Sequence, residues 1–260
     1  MPPVSSDAVF RACLAAAVLA AGLVAPAEAA HPLLTEDTGT QGEGNFQLEL
    51  MVDKTRDRTS GIGTRELQTA AVLSYGLGED LDLQLGQPWL RQHVRDALGR
   101  QHDSGRLDAS IDLKWRFFER DALSLAVKPG ITLPTGDEDR GFGSGRLTWG
   151  SLLVLSYAPG PWALHSHLGY RRNGNSLGER LDLWHVSAAA TYQATERLRL
   201  VADLSADTDP SRGSGGTLRY RILGFIWSPL PALDIDAGIR HGHGQAATDR
   251  AVLFGLTFRW

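Results

Sequence analysis

The sequence predicts an all-β fold, a transmembrane antiparallel β-barrel of about twelve strands, on three observations. First, apolar and polar residues alternate with period two through almost the whole chain after residue 44, which gives each strand one apolar and one polar face. Second, the alternating segments are long, as over residues 107–117, and about eleven tilted residues cross a bilayer. Third, short and long connectors alternate, the pattern of periplasmic turns and outer loops.

The alternation places each predicted strand between two connectors. The predicted strands are 45–53, 64–75, 81–91, 105–117, 122–134, 147–157, 162–171, 182–194, 197–206, 217–228, 233–241 and 250–260. The predicted short turns are Gly76–Asp80, Phe118–Asp121, Ala158–Pro161, Ala194–Glu196 and Pro229–Ala232. The predicted outer loops are Lys54–Gly63, Gln92–Ser104, Thr135–Arg146, Arg172–Leu181, Asp207–Gly216 and Gly242–Asp249. With an even number of strands, both ends of the barrel sequence fall on the periplasmic side.

The first residues, 1–29, predict a cleavable signal for Sec export. Arg11 precedes an apolar run from Ala12 to Pro26, and Ala27-Glu28-Ala29 has the A-x-A cleavage pattern. An N-terminal anchor helix is the alternative interpretation. Cys13 lies in this segment and is the only cysteine, so the mature chain is expected to have neither disulfides nor thiolate chemistry.

The remaining chain divides into a periplasmic N-terminal segment, 30–44, and an outer-membrane barrel, 45–260. Lysine and arginine number 26 against 30 acidic residues, which argues against a nucleic-acid partner because such proteins carry a clustered basic excess. The expected location is the bacterial outer membrane, and the expected partners are its lipid and a small-molecule solute.

Aromatic residues fall at both ends of the predicted strands, as in the two interfacial girdles of a membrane barrel. Those at the periplasmic ends are Tyr75, Trp115, Phe117, Tyr157, Trp162, Tyr192 and Trp260, and those at the outer ends are Trp89, Trp149, Tyr170 and Trp184. Trp227 conflicts with this pattern because it shares its parity with Arg219 and Arg221. A β-bulge or a misassigned strand would resolve the conflict.

The last six residues, Gly255–Trp260, resemble the C-terminal signal recognised by the barrel-assembly machinery. They contain a glycine, alternating apolar positions and a terminal aromatic residue. The assembly machinery is therefore a further expected partner.

Two stretches carry a family resemblance. They are His31–Thr40 with Gly42, Gly44, Phe46 and Leu48-Glu49, and Lys128–Gly130 with Leu133–Asp137 and Gly141–Gly145. Both are similar to the outer-membrane proteins grouped under the phenol meta-pathway (MetA) degradation name, which are described as transporters. The resemblance implies a barrel that passes aromatic or hydrophobic compounds, and it brings no catalytic residues with it.

The polar faces of the strands predict a charged lumen. Its expected lining is Glu49, Glu66, Asp82, Asp108, Asp112, Lys114, Arg116, Lys128, His165, His167, Arg171, Arg199, Asp203, Asp234, Asp236 and Arg240. A barrel of this size leaves a pore on the order of 10 Å or less, so opposing charges must pair or border water. Either a selective charge-lined path or an electrostatically cross-linked plug satisfies that requirement.

The histidine pairs are the candidate metal ligands. His165 and His167 share the inward face of one strand, and His241 and His243 fall at a predicted outer loop. A zinc or copper site needs further ligands, which the sequence does not supply, so polar lining is the preferred interpretation and no metal or other cofactor is expected.

Catalysis has weaker support than transport. Ser151, Ser166 and Ser187 lie near His165, His167 or His185 in the predicted barrel, but no nucleophile elbow surrounds any of them. The sequence therefore favours passage of small molecules through a monomeric barrel without enzymatic activity. The alternatives are an outer-membrane lipid hydrolase or acyltransferase, and a closed structural or adhesive barrel that acts through its loops.

Overall fold

The computed structural model shows an all-β chain and describes residues 31–59, 62–95, 99–213, 216–243 and 247–260. The predicted signal, 1–29, with its Cys13, lies outside the described residues. Within those ranges, no helix is long and apolar enough to cross a membrane.

The strands form one antiparallel sheet of thirteen segments. They are β1 Phe46–Thr59, β2 Ile62–Gly78, β3 Leu81–Arg95, β4 Arg100–Arg106, β5 Ala109–Arg120, β6 Leu123–Leu133, β7 Thr148–Tyr157, β8 Trp162–Arg172, β9 Asp182–Thr195, β10 Leu198–Thr208, β11 Thr217–Leu230, β12 Leu233–His243 and β13 Arg250–Arg259. The second half of β3 pairs with β4 and its first half with β5. The segments β4 and β5 are thus two parts of one wall strand, and the predicted twelve-stranded barrel is confirmed.

The barrel closes between its first and last strands. β1 pairs with β13 from Gln47↔Arg259 to Arg56↔Arg250, and Phe46 and Trp260 exchange backbone hydrogen bonds of 2.8 and 3.1 Å at the periplasmic end. Closure leaves no row of unpaired peptide groups, which a hydrocarbon environment would penalise strongly.

The two faces of the sheet differ as the alternation predicts. On β7, Val154 is fully buried, whereas its neighbours Leu153 and Leu155 face outward and are 54% and 38% exposed. Leu204 and Leu223 are even more exposed on the same outer face, at 65% and 70%. A continuous apolar surface of this kind requires a nonpolar surrounding, and a bilayer supplies it.

Aromatic side chains lie at both edges of this apolar surface. At the periplasmic end Phe46 contacts Tyr75 and Trp260, with ring centroids 4.6 and 5.5 Å apart. At the outer end Tyr170 contacts Trp149 and Trp184, at 5.8 and 5.0 Å. The other predicted girdle residues are exposed on the same face: Trp89, Trp115, Tyr157, Trp162 and Tyr192.

Two predicted outer loops are wrong. Most of Lys54–Gly63 extends the β1–β2 pair to Thr59↔Ile62, and much of Gln92–Ser104 belongs to the β3–β4 pair, which reaches Arg95↔Arg100. These extensions carry polar residues on both faces, because beyond the bilayer the outward face meets water. Because these extensions lack the alternation of apolar and polar residues, the sequence pattern predicted loops there.

The conflict at Trp227 has a different resolution from either one predicted. The β10–β11 register is continuous from Trp227 to Thr217, without a bulge, so Arg219 and Arg221 face outward together with Trp227. His241 and His243 also lie within a strand, β12, opposite Arg221 and Arg219, and not in an outer loop.

Candidate functional site

The N-terminal segment, residues 31–45, enters the barrel and crosses its lumen, which is one of the two arrangements, capping or entering the lumen, that the sequence allowed for the periplasmic segment 30–44. Thr35, Thr38 and Gln41 are 1%, 4% and 5% exposed. At the entrance Gly76 makes room for the backbone, because a Cβ there would lie 1.7 Å from the Gly42 carbonyl oxygen. The lumen is therefore occupied by the chain itself.

Two lysines of the wall bind two carboxylates of this segment. Lys114 Nζ lies 3.0 Å from Glu36 and 3.1 Å from Asp37, and Lys128 Nζ lies 2.6 Å from Glu36. Burial alone would raise the pKa of Glu36, but the two ammonium groups outweigh burial and hold it well below its usual range. Buried charges are tolerable when they are paired in this way, so the cluster fixes the middle of the segment.

The backbone of the segment is held by side chains of the wall. Four wall residues accept hydrogen bonds of 2.7 to 3.2 Å from its amides. The pairs, donor first, are Leu34 and Thr35 to Asp203, Glu36 to His167, Thr38 to Ser156, and Gln41 to Asp82. The wall thus satisfies amides that would otherwise be buried without partners.

The first residues of the segment, His31 and Pro32, dock against β11, β12 and β1. His31 Nδ1 lies 2.5 Å from Asp236 and its Nε2 lies 3.6 Å from Asp53. Burial by itself would lower the pKa of His31, but its contacts with these two carboxylates prevail and raise the pKa to about 9. Pro32 packs where Gly224 and Gly238 leave space, since a Cβ on either would approach it to 3.0 Å.

A second ion cluster joins strands of the wall directly. Asp234 accepts hydrogen bonds from Arg199 at 3.1 Å and from Arg259 at 2.9 Å, and Arg240 pairs with Asp53 at 3.2 Å. These contacts cross-link β10, β12, β13 and β1 inside the lumen. One of them, Arg240–Asp53, involves a carboxylate that also lies 3.6 Å from His31 of the N-terminal segment.

A cavity of about 470 Å³ lies on the outer side of the N-terminal segment. Its polar lining includes Asp112, Lys128, Arg171, His185 and Asp207, and its inward apolar lining is Leu152, Leu183, Leu218 and Tyr220. Lys128 both lines the cavity and binds Glu36, so the cavity lies next to the N-terminal segment. The cavity therefore combines polar groups with apolar surface at the outer side of a closed lumen.

The predicted lumen residues occupy distinct places. Those that contact the N-terminal segment are Asp82, Lys114, Lys128, His167, Asp203 and Asp236. Those of the wall cluster are Arg199, Asp234 and Arg240, and those of the outer cavity are Asp112 and Arg171. His165 bonds Ser156 at 2.8 Å, Glu66 accepts from Gln92 at 2.9 Å, and Glu49 has the inward parity of Asp53 on β1.

Two predicted lumen residues lie at the rims. Asp108 sits at the interruption between β4 and β5 and accepts hydrogen bonds from Gly136 and Ser144 of the following loop. Arg116 lies at the periplasmic rim, where it pairs with Asp80 and Glu119 at 2.6 and 2.9 Å. Period-two parity gives the face of a residue but not its height, which explains both departures.

Sequence reasoning missed the partners supplied by the N-terminal segment, namely His31, Pro32, Glu36 and Asp37. The signal available was the pair of inward lysines on β5 and β6, because cations in a narrow lumen need acidic partners. A short acidic segment just before the first strand was the nearest source of counter-charge.

Among the described residues, the lumen histidines form no group of three metal ligands, and His185 is not hydrogen-bonded to Ser187. No group of three potential metal ligands occurs in the described part of the chain. His185 Nδ1 lies 2.5 Å from Asp207, but His185 Nε2 and Ser187 Oγ are both without a hydrogen-bond partner. His185 therefore makes no hydrogen bond to Ser187, whereas the histidine of a serine hydrolase is hydrogen-bonded to its nucleophilic serine.

Residues 30–260 match the protein family described as "Putative MetA-pathway of phenol degradation". The chain belongs to this family. No curated protein matches the sequence.

Solved structures similar to this family member are outer-membrane barrels. An outer membrane channel from Pseudomonas putida F1 is 13% identical with a TM-score of 0.68, over 86% of this chain and 98% of that one. The NanC porin is 10% identical with a TM-score of 0.54, over 80% and 98%. The transport unit of the autotransporter AIDA-I from Escherichia coli is 10% identical with a TM-score of 0.54, over 89% and 94%. At these identities the likeness shows the fold.

Proposed function

We propose that this member of the phenol-degradation family is an outer-membrane channel for small molecules. The observation that carries the proposal is the polar lumen, in which a cavity of about 470 Å³ stands directly above the N-terminal segment. The apolar outer face and the aromatic girdles support insertion in a bilayer. A solute that enters the cavity from outside has the segment as its main obstacle.

The cavity lining supports a small aromatic or hydrophobic solute that carries a polar group. Leu152, Leu183 and Tyr220 offer apolar contact, while Arg171 and His185 offer hydrogen bonds to one end of such a molecule. Ligand sites commonly combine apolar surface with a few polar groups that fix orientation. Compounds of the size of a phenol fit this volume easily.

Passage requires the N-terminal segment to shift or leave. Its contacts with the wall are mostly hydrogen bonds and ion pairs, each of which water can replace at a net cost of about 1 to 3 kcal/mol. The wall strands pair with one another independently of the segment. The segment can therefore move while the barrel stays closed.

Planar-bilayer conductance and liposome swelling test the proposal. The refolded chain without residues 1–29 is compared with a variant that also lacks residues 31–41. We expect brief, small openings in the first protein and a conductance several times larger in the second, with entry of phenol-sized solutes into liposomes. If neither protein passes any small solute, the channel function is wrong.

Export and assembly belong to the same proposal. The signal at 1–29 would direct Sec export, and β13 with Trp260 would carry the signal for the barrel-assembly machinery. Trp260 supports this role because it is 62% exposed at the periplasmic end and stacks on Phe46. Removing Trp260 should lower the amount of folded barrel in the outer membrane without changing the amount exported.

A further inference from the structure

A row of basic side chains crosses the outward face of the barrel near its outer end. Six adjacent strands each place one basic side chain, four arginines and two histidines in all, directly opposite the next, from Arg221↔His241 and His241↔Arg250 to Arg250↔Arg56, Arg56↔Arg65 and Arg65↔His93. We call these six residues, Arg221, His241, Arg250, Arg56, Arg65 and His93, the basic row.

The arginines of the basic row, Arg56, Arg65, Arg221 and Arg250, have no ion pair with an acidic residue among those found in the described part of the chain. The acidic residues on the same strands all have inward parity: Glu49, Asp53, Asp57, Glu66, Asp82, Asp234 and Asp236. Like charges directly opposite one another destabilise a sheet, so the row is an arrangement that an external anion would stabilise.

The other side of the barrel is built differently. There Arg172 also faces outward at the outer end, but it pairs with Asp182 at 2.7 Å, beside the aromatic pair of Tyr170 and Trp184. The outward arginine at this end is thus neutralised on β8 and β9, whereas Arg221, Arg250, Arg56 and Arg65 have no ion pair among the described residues. The asymmetry gives the barrel one strongly basic side.

We propose that the basic row binds the phosphate groups of a phosphorylated glycolipid in the outer leaflet of the membrane. Guanidinium groups bind phosphate oxygens in bidentate geometry, and adjacent strands stand about 4.8 Å apart, which suits several phosphates on one headgroup. Because barrel strands tilt by roughly 35–45°, the row runs obliquely and spreads its cations over the depth of a headgroup layer.

The position of the row selects a lipid over a soluble polyanion. Towards the periplasm, the same outward parity continues into apolar side chains: Leu223 and Phe225 follow Arg221, and Val252 and Phe254 follow Arg250. These residues are 41% to 70% exposed. A ligand that satisfies the whole surface needs phosphates above and acyl chains below.

Lipid titration tests the proposal on the refolded chain without residues 1–29. The protein in detergent micelles is titrated with diphosphoryl lipid A, and bound lipid is counted by native mass spectrometry. The variant R56Q/R65Q/R250Q should bind roughly tenfold more weakly or worse, because each cation near an anionic surface contributes appreciably. The variant with lysine at the same three positions should keep most of the binding.

A matched control loses three positive charges elsewhere. R120Q/R172Q/R197Q changes exposed arginines outside the row and should bind lipid A like the parent protein. Lipid A without its phosphates should bind the parent as weakly as it binds the R56Q/R65Q/R250Q variant. Folding is checked in lipid-free detergent, where that variant should melt no lower than the parent because it loses like-charge repulsion.

Three results would overturn the inference. Equal binding of lipid A with and without phosphates would remove the role of the row. Equal loss in the two triple glutamine variants would show a dependence on net charge alone. Inorganic phosphate or a soluble polyanion bound as tightly as lipid A would show that the acyl chains contribute nothing.

Discussion

Lys114 lies between Glu36 and Asp37 of the N-terminal segment and is only 3% exposed. A charge in this position depends wholly on its partners, since removing one member of a buried ion pair leaves the other uncompensated. The carboxylates belong to a segment that can leave the lumen, so the barrel itself need not unfold when the pair is broken. Single residues can therefore set how tightly the lumen is closed.

The first prediction concerns this lysine. Lys114→Met should destabilise the docked segment by about 3 kcal/mol, because two buried carboxylates lose their shared cation. Hydrogen exchange at Thr35 and Thr38 should become faster and bilayer conductance should rise. Arg120→Met is the control: Arg120 pairs with Asp121 at 3.9 Å and is 81% exposed, so its loss should change neither quantity. Unchanged exchange in Lys114→Met would contradict the role of the cluster.

The second prediction is a pH dependence centred on His31. Its pKa is raised to about 9 in the docked state from an ordinary value of 6.5, so its contribution is complete below 6.5 and is lost as the pH rises through 9. Conductance should therefore increase between about pH 7 and 9.5, and His31→Gln should abolish that increase. The pKa of Glu36 is lowered, so its contribution is present above 4.5 and is lost only in more acidic solution.

At the scale of elements, the N-terminal segment leaves the wall at a narrow point beside β2. The Gly76 carbonyl accepts a hydrogen bond of 2.9 Å from the Gly44 amide, and the Gly76 amide donates one of 3.0 Å to Asn45. The contact is close because neither glycine of this pair has a side chain. The entry of the segment into the lumen therefore depends on one strand position.

The third prediction uses two glycines of the same strand. Gly76→Ala would place its Cβ 1.7 Å from the Gly42 carbonyl, so the segment must shift, whereas Gly78→Ala meets no atom within 4 Å. The first substitution should raise conductance and the susceptibility of residues 31–41 to protease, and the second should alter neither. Heat-modifiable migration on gels should show a folded barrel in both variants. If the two variants behave alike, the narrow entry has no influence on the segment.

At the scale of the whole molecule, the barrel is held by its closed ladder of backbone hydrogen bonds more than by a conventional core. The buried apolar cluster is small, with Ile222, Ala251 and Leu253 and the partly buried Leu34. Apolar surface faces outward instead, where the bilayer covers it. Closure between β1 and β13 is thus a condition for the whole structure.

The fourth prediction tests closure directly. Thr55 and Ala251 are opposite residues of the β1–β13 pair, and both are buried inside the barrel. The double variant Thr55→Cys/Ala251→Cys should form a disulfide on oxidation, since opposite residues bring their Cβ atoms within bonding range. The chain without residues 1–29 offers no other cysteine, so a shift in the mobility of the denatured protein on gels reports this bond.

A mismatched pair gives the control. Thr55→Cys combined with Ala163→Cys, whose partner strand is β9, should stay reduced under the same conditions. Absence of a crosslink in the matched pair of the folded protein would contradict a closed barrel.

The elements were largely predictable because period-two alternation records which face of each strand meets lipid. The alternation is lost beyond the bilayer, where the outward face also meets water. For that reason the extended parts of the β1–β2 and β3–β4 hairpins were predicted as loops. The pattern also misjudged Arg219 and Arg221, which were expected to face inward, with a bulge or a misassigned strand to account for Trp227. The near-neutral composition concealed the basic row, because its cations are spread over six strands and each acidic neighbour in sequence points inward.

The sequence by itself determined the strand count, the two faces, the aromatic girdles and the family. These properties are local: each depends on the spacing of residues within one strand or one motif. Only the tertiary structure decided that the N-terminal segment fills the lumen, that Lys114 and Lys128 bind Glu36, and that six basic side chains align on one side. Those features join residues far apart in the chain, and they follow from barrel closure and strand register, which no single strand encodes.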